Sequence, residues 1–173
     1  IKIINYAPLS SYSESINLIR VEDILPCSYL STSSPAFQMP KERGYTNIIC
    51  HPFGVNPWKK NNPKEPLDLE RIGNKPFLLQ LFVRGNPFRG DQLLGEPWKL
   101  VVEQLQSKGL LSALIVYGSI YLWEELIVGL HSSIPSAFSP GQMPEAQKKI
   151  LGTLFKSNKE SSVSKNNAIK FTD

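Results

Sequence analysis

Three short loops hold the side chains of this chain best suited to chemistry. RGNPFRG at 84–90 carries Arg84, Asn86 and Arg89. YGS at 117–119 carries Tyr117 and Ser119, and FSPGQ at 138–142 carries Gln142. Two guanidinium groups suit carboxylates, phosphates or sugar hydroxyls, because each presents a planar fork of donors. The other four side chains add neutral donors and acceptors. The set holds no nucleophile with an adjacent base, so ligand binding or interdomain contact is the expectation, not catalysis. The more economical account of Arg84 and Arg89 is that they tie their loop to a neighbouring domain or to nearby carboxylates.

Other chemistry finds little support. RGNPFRG lacks the GxGxxG spacing, and no GxxxxGK[ST] occurs, so a nucleotide cofactor is not expected. No GxSxG elbow is present. Cys27 and Cys50 have no metal-ligand spacing, so no metal is expected either. They read as two reduced thiols in a cytosolic setting. His51 follows a strand pattern, and His131 stands where a helix ends. Glu124 and Glu125 read as an exposed helical face, and Glu145 as a charge favouring a helix N-terminus.

The loops require a scaffold that brings them to one edge. Phe77 to Val83 (FLLQLFV) is a nearly continuous apolar run, the pattern of a strand buried on both faces. Ile16 to Val21, Tyr45 to Cys50, Ser112 to Tyr117 and Ile134 to Phe138 supply four more strands. Helical spacing covers 98–106, with Trp98, Val101, Val102 and Leu105 on one face. Further helices are predicted over 121–130 and 144–155, and after Ser34 and Pro35 as far as Gly44. Strands alternating with helices imply a three-layer α/β/α sandwich on a mostly parallel sheet of about five strands. Ligands of such sheets bind at the carboxyl ends of the strands, where all three loops fall.

The organisation expected is an irregular segment over 1–15, an α/β domain over 16–156 and a flexible polar tail over 157–173. A Pro-rich stretch at 51–75 reads as a surface insertion. The 173 residues carry 19 Lys plus Arg against 15 Asp plus Glu, a net +4. Half of that excess sits in 56–66, where Lys59, Lys60 and Lys64 face Glu65. The other half sits in the tail, so the folded body is neutral and nucleic acid is not expected as a partner. No run of 18 apolar residues spans a membrane. A chain opening on Ile1 reads as a fragment or a processed chain.

IPSAFSPGQMPEAQKKILGTLF at 134–155 resembles the C-terminal α/β domain of family 3 glycoside hydrolases. The resemblance rests on Pro140, Gly141, Gln142, Ala146, Gly152, Leu154 and Phe155. RVEDILPCSYL at 20–30, FLLQLFVRGNPFRG at 77–90 and LIVYGS at 114–119 are similar to the cyanobacterial β-N-acetylhexosaminidase or β-glucosidase-like branch. The resemblance covers about residues 16–156. It implies an accessory domain that packs against a catalytic TIM barrel, with carbohydrate as a further partner. In the family the barrel carries the Asp nucleophile. The acid/base is a His/Asp pair in a KH(F/I)PG-like stretch, or in other branches a Glu of the α/β domain. No KHxPG occurs here, and a barrel needs about 250 residues, so this chain alone is expected to be inactive. Met143, Pro144 and Glu145 replace the glycines usual after the Pro-Gly-Gln turn. The rival expectation is a free-standing, flavodoxin-like module that binds a small molecule. A domain that packs on a barrel should also expose an apolar patch, with Phe53, Trp58 and Phe88 as candidates.

Overall fold

A computed structural model describes residues 1–9, 14–22, 30–84 and 95–156. The chain folds as β1 (Lys2–Ile4), β2 (Ile16–Val21), α1 (Pro35–Glu42), β3 (Thr46–Ile49), α2 (Leu69–Ile72) and β4 (Phe77–Val83). It continues as α3 (Trp98–Ser107), β5 (Leu111–Gly118), α4 (Ile120–Ile127), β6 (Ser136–Ser139) and α5 (Pro144–Leu154). One six-stranded sheet runs in the order β1-β6-β5-β4-β2-β3. All neighbours are parallel except β1, which pairs antiparallel with β6. The sheet therefore has six strands where the sequence suggested five. The sixth comes from the opening segment, which reads as irregular because three residues are too few to show a period.

Strand alternation sorts the side chains onto two faces. Leu79, Leu81, Leu114 and Val116 point to one face, where Trp98, Val101, Leu105, Trp123 and Leu126 of α3 and α4 cover them. Ile19, Leu78, Phe82, Ile115 and Tyr117 point to the other, under Phe37 of α1 and Ile150, Leu151 and Leu154 of α5. β4 and β5 lie in the middle and are almost wholly buried. This explains why their sequences read as continuous apolar runs and not as alternating ones.

The parallel strands alone run β3-β2-β4-β5-β6, the flavodoxin-like doubly wound order. Its direction reverses between β2 and β4, and the carboxyl ends of those two strands form the crevice such sheets use. No described helix is long and apolar enough to cross a membrane.

Candidate functional site

At the crevice, β2 ends on Val21 and is followed by Glu22, and β4 ends on Val83 and is followed by Arg84. The Glu22 carboxylate is buried, and its Oε2 accepts the Arg84 backbone N–H at 2.6 Å. Its Oε1 is buried without a hydrogen-bond partner. The Arg84 side chain itself is exposed. Asn86 and Arg89 lie outside the described residues, as do Phe88 and Cys27.

One layer below, Arg20 is 7% exposed and pairs with Glu96 before α3. Its Nε donates to Glu96 Oε1 at 2.7 Å and its Nη2 stands 2.6 Å from the same oxygen. The Arg20 Nη1 also donates to the Val21 carbonyl. Burial pushes the nearby Cys50 thiol up to about 12, with the Arg20 charge pulling down and the Glu96 charge pushing up. Cys50 is therefore a neutral, inert thiol rather than a nucleophile.

The remaining sequence candidates are tied into the fold. The Tyr117 side chain is fully buried, and its hydroxyl donates to Gln80 Oε1 at 3.0 Å. Burial raises the Tyr117 phenol above its ordinary range. Ser119 is buried and caps α4, its Oγ accepting the Leu122 N–H at 3.3 Å. Gln142 folds back on β5, its Nε2 donating to the Tyr117 carbonyl at 3.2 Å. Gly118 makes that closure possible. Its φ of 105° belongs to the region glycine tolerates, and a Cβ there would overlap the Val83 carbonyl and come within 2.6 Å of Gln142 Nε2. The structure thus brings Tyr117, Ser119 and Gln142 to one edge, as their loops predict. Two of the three point into the domain and the third braces a turn.

Sequence reasoning passed over a buried polar network on the same side. Gln80 Nε2 donates to Asn17 Oδ1 at 2.8 Å and to the Ala36 carbonyl at 3.0 Å. Asn17 Nδ2 donates to the same carbonyl at 2.8 Å and to Asn47 Oδ1 at 2.9 Å. Gln147 Oε1 accepts the Ala36 N–H at 3.0 Å, and its Nε2 donates to the Gln142 carbonyl at 2.9 Å. The start of α1, the strands β2, β3 and β4 and the Pro-Gly-Gln turn are thereby joined through amides. The signal was available: a Gln inside FLLQLFV and an Asn inside INLIRV are polar residues where central strands should be apolar.

The family model for the bacterial glycosyl hydrolase family 3 C-terminal domain matches residues 9–156. The chain belongs to that family. The match spans every element of the sheet except β1. No curated protein matches the chain. Among the described residues, no group of three or more His, Cys, Asp or Glu side chains could hold a metal ion.

Proposed function

We infer that this family 3 C-terminal domain serves as an accessory domain, packing against a catalytic TIM barrel that these residues do not contain. The parent enzyme would act on β-linked N-acetylglucosamine or glucose. The family match over 9–156 is the observation that carries this reading. Large apolar side chains exposed along the carboxyl edge support it. Phe53 and Val55 follow β3 and are 54% and 46% exposed, while Tyr121 follows β5 and Met143 follows β6 at 57% and 54%. Trp58 contributes less than expected to such a patch, because it is half-buried against Trp98. Arg84, exposed at the end of β4, is the candidate polar contact on this edge, with Asn86 and Arg89 following it in sequence outside the described residues.

An assay of the 173-residue chain on aryl β-N-acetylglucosaminide and aryl β-glucoside tests the non-catalytic role. No turnover above background is expected, and robust turnover overturns the reading. The flavodoxin-like strand order favours one rival, a free-standing small-molecule module. Calorimetry against phosphates, nucleotides and sugars decides between them at the crevice. Tight binding there, lost in Arg84→Ala, would favour the rival.

A further inference from the structure

The family match begins at Leu9 and leaves β1 outside it, yet β1 is built into the domain. Its register pairs Lys2 with Phe138 and Ile4 with Ser136. Ile3 packs on the core under α1 and α5, and Ile4 on the core under α3 and α4, the alternation a strand imposes. Asn5 then turns the chain with a φ of 52°, a left-handed conformation that Asn tolerates better than most residues. Its Nδ2 donates to the His131 carbonyl at 3.3 Å. The Tyr6 hydroxyl donates to the Lys156 carbonyl at 2.9 Å, and the Leu9 N–H to the Leu154 carbonyl at 2.7 Å. The last carbonyls of a helix lack partners within it, so residues 6–9 close the end of α5. The segment 1–9 is thus fastened to β6, to the loop at His131 and to α5.

The direction of this segment decides where it leads. β1 runs antiparallel to β6, and β6 ends on Ser139 at the carboxyl edge. Ile1 therefore stands at that edge, 48% exposed. Exposed Met143 is the N-cap of α5 shortly after Ser139, and its turn is held to β5 by the Gln142 amide on the Tyr117 carbonyl. Exposed Tyr121 lies in the first turn of α4, just past β5, whose Tyr117 is the neighbour of Ser139. Phe53 and Val55 lie beyond β3, five strand intervals of about 4.8 Å from β1. The chain after them is fastened by its own domain. The Lys59 N–H donates to the Pro66 carbonyl at 2.7 Å, and the buried Gln104 of α3 accepts the Leu67 N–H at 2.9 Å and donates to its carbonyl at 3.0 Å.

We propose that residues 1–9 are an inter-domain clasp, and that the catalytic domain seats on the β1-β6-β5 end of the carboxyl edge, over Ile1, Tyr121 and Met143. The proposal rests on the accessory reading and goes beyond it by assigning the seat. A C-terminal domain is joined to its parent on its N-terminal side, and the clasp delivers that side of the chain to this end of the edge. A bonded strand leaves the joined domain less reach than a flexible linker would. None of the three side chains is charged, so the surface that matches them is apolar.

Hydroxyl-radical footprinting of the parent enzyme against the 173-residue chain tests the seat. Oxidation of Met143 and Tyr121 should fall about fivefold in the parent, as half-exposed side chains become interface core, while Phe53 stays within about twofold. Protection of Phe53 equal to or greater than theirs overturns the seat and leaves the accessory reading standing. Protection of none of the three removes that reading and the seat with it. Hydrogen exchange of the 173-residue chain tests the clasp. The β1 amides should exchange more slowly than those of an unstructured chain. Tyr6→Phe should speed them about fivefold, as loss of one hydrogen bond implies, with β4 and β5 unchanged. Exchange of β1 at the unstructured rate, or unaltered in Tyr6→Phe, overturns the clasp.

Discussion

The two faces of the sheet are held by different physics. Under α3 and α4 the contacts are mostly hydrocarbon and indole, with Trp98, Leu105, Trp123 and Leu126 as the large pieces. Under α1 and α5 an apolar floor surrounds a string of amides and a phenol, from Asn47 through Asn17 and Gln80 to Tyr117. Apolar burial is non-directional, so the first face gains stability from area and tolerates small slips. Hydrogen bonds buried at low dielectric are directional and costly to break, so the second face fixes where α1 and α5 sit. The geometry of the Pro-Gly-Gln turn depends on that second face through Gln147 and Gln142.

The sharpest way to break the comparison is truncation on each face. Trp98→Ala empties the largest fully buried site and should cost about 3–5 kcal/mol in urea unfolding. Gln80→Leu keeps the volume but strands Asn17 Oδ1 and the Tyr117 hydroxyl, while the Ala36 carbonyl keeps its bond from Asn17 Nδ2. It should cost about 2–4 kcal/mol and shift amide resonances in α1. If Gln80→Leu is neutral while Trp98→Ala is not, the polar face is packing like the other and the contrast fails. Tyr117→Phe removes a single bond to Gln80 Oε1 and should cost about 1–2 kcal/mol, with α3 and α4 unperturbed.

Near neutral pH the smallest effect is in proton binding, and it grows only toward alkaline pH. Cys50 and Tyr117 both bind their protons more tightly folded than unfolded, because burial opposes the anions. Their neutral forms contribute stability in full below the unfolded values. That contribution falls as pH rises from the ordinary thiol range toward about 12 for Cys50. The decline is at most about 1.4 kcal/mol per pH unit for each group. Cys50→Ala should flatten part of it in chemical unfolding followed between neutral and alkaline pH.

Much of the fold was legible because burial on both faces leaves a plain trace. FLLQLFV reads as a strand over 77–83, and β4 has those limits. The helices expected over 98–106 and 144–155 are α3 over Trp98–Ser107 and α5 over Pro144–Leu154. β1 was not legible, since its pairing with β6 joins residues far apart in sequence. The stretch 51–75 read as an insertion because nothing local announces that Gln104 will anchor it. At the candidate site, Tyr117 shares its strand face with Ala113 and Ile115, an alternation that assigns its ring to the interior. The loop spacing alone carries no such alternation, and the structure places the Tyr117 ring in the interior.

Gln104 gives Leu67 the two bonds that a neighbouring strand would give. A helix side chain here stands in for a length of backbone. The loop between these anchors can therefore be exchanged, lengthened or grafted from a relative without touching the sheet, provided the amide travels with it. Swapped alone, the same loop would arrive without its socket.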